Sequence, residues 1–328
     1  MAHLKNKTVR WVLTAWLGAM CAFAPLVATA QDAPLVAFTA IVEHPALDAV
    51  REGALEALAA RGYKAGSSMR TEFESAQGQM VNAAQIAERF VGQDPAVIVG
   101  ISTPSAQAAL SATTVIPIVF SAVTDPVAAG LVVNMEVPGG NVTGVSDMSP
   151  VANHISLAQE IVPGLTRLGV VYNPGEANSV SLIKITRAAA SAAGIELVEA
   201  GANRTADLAA AVESLVGKVD AVYAPTDNVV ASGLEALLQT AHENGIPTIA
   251  GDVSYVERGA VAGSGFDYKV LGRLTGGIIA DILEGADPGT IPVVLSGEVD
   301  LAVNVKSAAM VGIELRASLL DRAAFVYE

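Results

Sequence analysis

The stretch Leu35–Gly62, LVAFTAIVEHPALDAVREGALEALAARG, changes its apolar rhythm halfway along. Leu35–Ile41 is a continuous apolar and β-branched run, the pattern of a strand covered on both faces. From Pro45 the apolar residues move to helical spacing at Leu47, Val50, Ala54 and Leu58, and the helix is expected to close at Arg61-Gly62. A strand buried on both faces and followed at once by an amphipathic helix is the unit of parallel α/β sheets. Glu43-His44-Pro45 lies between the two, at the strand's carboxyl end, where such sheets bind ligands.

The unit recurs along the chain. Strands are expected near Met69–Phe73, Ala96–Ile101 and Ile116–Phe120, with helices over about Gly78–Val91 and Pro104–Ala112. The turn cluster Pro138-Gly139-Gly140-Asn141 then leads into a strand, Val142–Val145, that leaves this lobe. A second alternating series runs through Arg167–Tyr172, Ser179–Ala193, Ile195–Glu199, Thr205–Val216, Ala221–Pro225, Val229–Asn244 and Ile246–Gly251. The remainder is too short for a third domain: strands at Gly259–Phe266, Ile291–Leu295 and Leu301–Val305, and helices at Leu271–Leu283 and Ala308–Leu320. It is expected to cross back to the first lobe and return. The sequence therefore predicts an α/β protein of two doubly wound parallel-sheet lobes joined by a three-segment hinge. Lobe 1 takes residues 31–145 and 260–287, and lobe 2 takes residues 146–259 and 288–328.

Residues 1–30 read as a cleaved export signal. Lys5, Lys7 and Arg10 precede an apolar core, Trp11–Phe23, and Ala28-Thr29-Ala30 offers a cleavage site before Gln31. The core is too short to be a stable membrane span. Cys21 follows Met20 rather than the small residue that lipid modification wants, so no membrane anchor is expected. The mature chain would then hold no cysteine, which excludes disulfide and thiol chemistry. The formal net charge of −14 becomes more negative once the signal's three cations are removed, and such a surface repels nucleic acid and anionic lipid. Only 16% of residues are charged against 52% hydrophobic, enough for a sizeable core. His44, His154 and His242 are isolated, no HExxH, CxxC or DxDxDG pattern occurs, and Gly263-Ser264-Gly265 is too short for a dinucleotide fingerprint. No metal and no cofactor are expected.

Short polar side chains gather at the same edge of both expected sheets. Lobe 1 presents Glu43, His44, Ser102, Thr103, Ser105, Ser121 and Asp125, and lobe 2 presents Asn178, Thr226, Asp227, Asn228 and Asp252. Prolines beside several of them make part of the pattern ordinary helix capping. Capping and binding are compatible, because free N–H groups at a helix start attract a carboxylate. Thr103 and Ser105 suit that role, whereas acids converging from Glu43, Asp125, Asp227 and Asp252 suit an ammonium group or several hydroxyls. Tyr172, Tyr223, Tyr255, Phe266 and Tyr268 fall near lobe 2 or the hinge and can stack on a ring, although Tyr172 and Tyr223 equally suit core packing. Tyr268 completes the expected ligand-binding set, and no residue is expected to be catalytic.

Six segments carry a family resemblance: HPALDAVREG (His44–Gly53), GISTPSAQAAL (Gly100–Leu110), IPIVFSAVTDPVAAGLV (Ile116–Val132), PGGNVTGVSD (Pro138–Asp147), VVYNPGEANS (Val170–Ser179) and APTDNVVAS (Ala224–Ser232). In this order, over essentially the whole mature chain, they resemble the periplasmic substrate-binding proteins of ABC importers, relatives of tryptophan- and tyrosine-binding lipoproteins. The resemblance implies the type I periplasmic-binding fold and capture of a small polar solute, an aromatic amino acid among the candidates. It further implies delivery to an ABC permease and its ATPase. Several relatives look like lipoproteins, whereas this chain is expected to be periplasmic, unanchored and monomeric. A sensory receptor for a membrane kinase is an alternative, and a cleft enzyme a weaker one. The enzyme would need a thiol, a GxSxG elbow or a Ser-His-Asp arrangement that the sequence does not offer.

Overall fold

In the computed structural model, which describes residues 33–295 and 297–328, the opening stretch folds as its rhythm dictates. Strand β1 (Leu35–Ala40) is buried along its whole length, and the helix Pro45–Ala60 turns Leu47, Val50, Ala54 and Leu58 onto it. The expected export signal, Gln31 and Cys21 lie outside the described residues.

Four more strands follow in the first sheet: β2 (Arg70–Ser75), β3 (Val97–Ile101), β4 (Ile118–Val123) and β5 (Val142–Ser146). The second sheet starts with β6 (Arg167–Tyr172), β7 (Glu196–Gly201), β8 (Ala221–Ala224), β9 (Thr248–Ala250) and β10 (Ala262–Gly265). The last three strands are β11 (Val294–Leu295), β12 (Asp300–Asn304) and β13 (Phe325–Tyr327). The six-stranded first sheet has the order β11-β5-β4-β3-β1-β2, and the seven-stranded second has β13-β12-β10-β9-β8-β6-β7. All pairings are parallel except β10 with β12. Strand order reverses between β1 and β3 in one sheet and between β6 and β8 in the other. Each reversal is a switch point where the loops diverge and leave a crevice.

The chain crosses between sheets three times: after β5, after β10 and after β11. These crossings differ from the expected lobe limits. Residues 262–265 pair with β9 and β12 in the second sheet rather than joining lobe 1, and residues 294–295 pair with β5 in the first rather than lobe 2. The small, apolar Ala262–Gly265 segment suits either sheet, so only its neighbours assign it.

The helix that returns to the first lobe, Tyr268–Leu283, lies against Pro45–Ala60 with almost no side chain between them. A Cβ on Gly272 would stand 2.1 Å from the Val50 carbonyl oxygen, and one on Gly53 would stand 2.2 Å from that of Lys269. This close approach fixes Tyr268 relative to the loop after β1. Elsewhere, the helix expected at Val229–Asn244 breaks at Gly233 into Asn228–Ser232 and Leu234–Glu243. A side chain at Gly233 would collide with Leu208. Among the described residues no helix is long and apolar enough to cross a membrane.

Candidate functional site

Loops from both switch points line a narrow pocket between the lobes, at the strand edges where doubly wound sheets bind small molecules.

Lobe 1 contributes His44 after β1, Ser102 and Thr103 after β3, and Ala122 and Thr124 at the end of β4. Ser102 adopts φ 81°, ψ 156° and Ala122 φ 52°. Non-glycine residues rarely hold such angles unless the surroundings force them, and strain of this kind gathers at binding sites. The Ser102 turn leads into the helix Thr103–Ala112, whose first N–H groups have no partner within the helix. The Ser102 and Thr103 hydroxyls are buried without a hydrogen-bond partner. This wall therefore offers donors and no charge. Burial pushes the His44 pKa down to about 4, the positive charge of Arg258 adds to the fall, and the Asn228 side chain opposes it. His44 is neutral at physiological pH.

The hinge and lobe 2 contribute acids. Asp147, at the first crossing, accepts a hydrogen bond from the Tyr268 hydroxyl at 2.9 Å. Burial raises its pKa, and that hydrogen bond resists the rise. Asp252 caps the short helix Val253–Glu257 by accepting the Ser254 N–H at 2.7 Å. Burial pushes its pKa up to about 6, with the charge of Asp147 adding a smaller push. Asn178 places a buried, unpartnered Oδ1 in the same region. Among the described residues no lysine or arginine lines the pocket. Two buried carboxylates so placed favour positive charge supplied by a solute. Leu47, Ala122, Ala231 and the ring of Tyr255 form the apolar part of the lining.

Nine of the expected residues come together here: His44, Ser102, Thr103, Asn178, Thr226, Asp227, Asn228, Asp252 and Tyr268. Asp227 lines the pocket, but its oxygens are already engaged. They accept N–H bonds from Val229 and Val230 at 2.9 Å, from Asn173 at 2.7 Å, and the Ser179 hydroxyl at 2.5 Å. A carboxylate has about four lone-pair sites, so Asp227 is a cap and clamp rather than an ammonium partner.

Four expected residues lie elsewhere. Glu43 is exposed and faces an outer groove. Ser105 is buried away from the pocket, because two steps into a helix turn it from the cleft toward the lobe interior. Ser121 is buried under the returning helix, its Oγ 2.7 Å from Thr275 Oγ1. Asp125 accepts the Ala128 N–H at 2.9 Å and borders a different groove. Tyr223 and Tyr172 also stand apart: Tyr223 is a core residue bonded to His154 Nδ1 at 2.8 Å, and Tyr172 binds Glu199 at the sheet edge. Asp147 was missed. Its position directly after the strand that leaves lobe 1, like the other acids at strand ends, was the available signal. Among the described residues no group of three His, Cys, Asp or Glu side chains could hold a metal ion.

Comparison with known proteins agrees with this architecture. A family profile described as ABC transporter substrate binding protein matches residues 35–327. The chain is 40% identical over 269 residues to the tyrosine-binding protein of Clostridioides difficile (strain R20291), covering 82% of this chain and 78% of that one. A Streptococcus pneumoniae ABC domain in complex with L-Trp superposes with TM-score 0.87 at 32% identity, covering 90% of this chain and 99% of that one. A substrate binding protein with adhesive properties from Clostridium difficile, ligand-free and open, gives TM-score 0.68 at 39% identity over the same shares. The complex superposes better than the more identical ligand-free, open chain. The matched family is one of solute-binding proteins rather than enzymes. With two switch-point crevices lining one pocket and a profile match over nearly all the described residues, the chain belongs to the ABC transporter substrate-binding protein family.

Proposed function

We propose that this protein is an exported, periplasmic receptor that captures an amino acid, foremost an aromatic one, and hands it to an ABC permease and its ATPase. One observation carries the reading: the pocket is polarised. Uncharged donors, Ser102, Thr103 and the N–H groups of a ten-residue helix, line one wall, and the buried carboxylates of Asp147 and Asp252 stand at the hinge and on the other. A zwitterion meets both, with its carboxylate toward lobe 1 and its ammonium toward the acids. Tyr255 and Leu47 supply surface for a ring. The tyrosine and L-Trp named for the two relatives fit this division of roles.

Solute bound between the lobes favours the closed arrangement, because only then do both walls touch it. The mature protein is a monomer in this reading, since one chain supplies both walls. Calorimetry of the mature protein against L-tryptophan, L-tyrosine and a panel of other amino acids, nucleosides and sugars tests the assignment. Saturable heat and a raised melting temperature are expected for the aromatic amino acids; silence across the panel sinks the reading. Uptake by proteoliposomes holding the cognate permease and ATPase tests delivery.

A further inference from the structure

Tyr268 reaches the pocket from the far end of the chain, as the first residue of the helix that returns to lobe 1. That helix is held at several points. Asp267 caps it by accepting the Lys269 N–H at 2.8 Å, Gly272 lies against the Val50 backbone, and Thr275 Oγ1 stands 2.7 Å from Ser121 Oγ of β4. Tyr268 is only 8% exposed, and its hydroxyl donates to Asp147 Oδ2 at 2.9 Å. Asp147 follows β5 on the first crossing and Tyr268 follows β10 on the second, so this bond ties two crossing segments at the pocket they both line.

We propose that Tyr268 is a positioning residue for the solute site: its hydroxyl anchors one oxygen of Asp147 and leaves the carboxylate's charge for the solute's ammonium. The proposal rests on the amino-acid reading of the pocket. A phenol donates a hydrogen bond without carrying charge, so it orients the carboxylate, whereas a lysine or arginine in its place would neutralise it. Asp147 also keeps room for a guest. Its Oδ1 stands 3.5 Å from the Thr124 hydroxyl, at the outer limit of a hydrogen bond. Even with that contact and the N–H of Asp147 itself counted beside Tyr268, one of about four lone-pair sites stays open. Asp227, by contrast, has filled its own. A carboxylate already held by Tyr268 has less freedom to lose when the ammonium arrives.

The bond acts on protonation as well. Burial raises the Asp147 pKa, and the Tyr268 hydroxyl is the largest of the hydrogen-bond effects that resist the rise. Its loss therefore favours the protonated, uncharged acid, a weaker partner for an ammonium. The other titratable groups around the pair are Asp252 and Tyr255, with His44 and Asp227 on the pocket walls.

Tyr268→Phe keeps the ring and removes the donor. In calorimetry on the mature protein at pH 8, the affinity ratio between L-tryptophan and indole-3-propionate, which lacks the ammonium, is expected to fall about tenfold, the scale of one hydrogen bond to a charged group. In an Asp147→Ala background the same substitution should change L-tryptophan affinity by less than about twofold, because its target is gone. A wild-type ratio overturns the proposal. So does a tenfold loss that persists without Asp147, which would make the hydroxyl a direct contact of the solute. Side-chain carboxyl NMR gives a solute-free readout: the Asp147 pKa should rise in Tyr268→Phe, and an unmoved titration overturns the proposal. If Tyr268→Phe fails to fold, 3-fluorotyrosine in place of Tyr268, a stronger donor of nearly the same shape, should lower that pKa; no shift is then the overturning result. If L-tryptophan does not bind the wild type, the amino-acid reading falls, while the carboxyl titration still decides whether Tyr268 holds Asp147.

Discussion

The two walls of the cleft are built by the same device and carry opposite chemistry. Each forms where strand order reverses at the carboxyl edge of a parallel sheet. The lobe 1 wall holds its donors on strained backbone at Ser102 and Ala122 and carries no charge beyond a neutral histidine. The opposite wall is relaxed in backbone but rich in buried acids, two of them capping helices at Asp227 and Asp252. In the proposed reading the shared fold sets where a solute sits, and side-chain chemistry at the two edges sets which way round it lies.

The sharpest way to break this comparison is to change the solute. Indole-3-propionate, which lacks the ammonium, is expected to lose at least about a hundredfold in affinity relative to L-tryptophan, because it leaves buried carboxylates unpaired. Tryptophan methyl ester, which loses only the carboxylate charge, should lose about tenfold. The reverse ranking in competition calorimetry would invert the polarity proposed here. From the protein's side, Asp147→Asn and Asp252→Asn are each expected to weaken L-tryptophan binding by up to about a hundredfold. Thr103→Val, on the uncharged wall, should cost about tenfold. Equal losses on both walls would erase the contrast.

Protonation gives a smaller, independent handle. With its folded pKa near 6 against an ordinary 3.8, Asp252 keeps its proton in the folded protein where the unfolded chain has lost it. Its contribution to stability therefore declines as pH rises from about 4 to about 6. An ammonium beside it draws the pKa back down, so binding at pH 5 is expected to release on the order of one proton, and none at pH 8. Calorimetry in buffers of different ionisation enthalpy counts that release; the same count at both pH values contradicts the contact. The smallest effect belongs to Ser102→Gly. Glycine accepts φ 81° without strain, so thermal stability should rise by about 1 kcal/mol, read as a melting shift of roughly 2–4 °C. The lost hydroxyl should cost only a few-fold in affinity. A fall in melting temperature would show that the Ser102 backbone is not strained.

Local rhythm carried the alternation of strand and helix, because burial on two faces and burial on one leave different periods. Arg167–Tyr172 is a strand at its expected limits, and the helix begun at Pro45 ends within a residue of its expected close. The same rhythm put Thr103, Asp227 and Asp252 at strand ends, which sufficed to find the pocket. It could not tell a carboxylate with free oxygens from one already filled. Asp227 and Asp252 look alike as residues before a helix, and only the approach of Asn173 and Ser179 from the neighbouring loop saturates Asp227. Asp147 joined the site for the same reason in reverse, since Tyr268 reaches it only after a helix far along the chain packs back through Gly272. Period and capping are properties of a few neighbouring residues and can be read in order. Which lone pairs stay free, and which strand edge receives Ala262–Gly265, depend on contacts between segments far apart in the chain, and those exist only once it has folded.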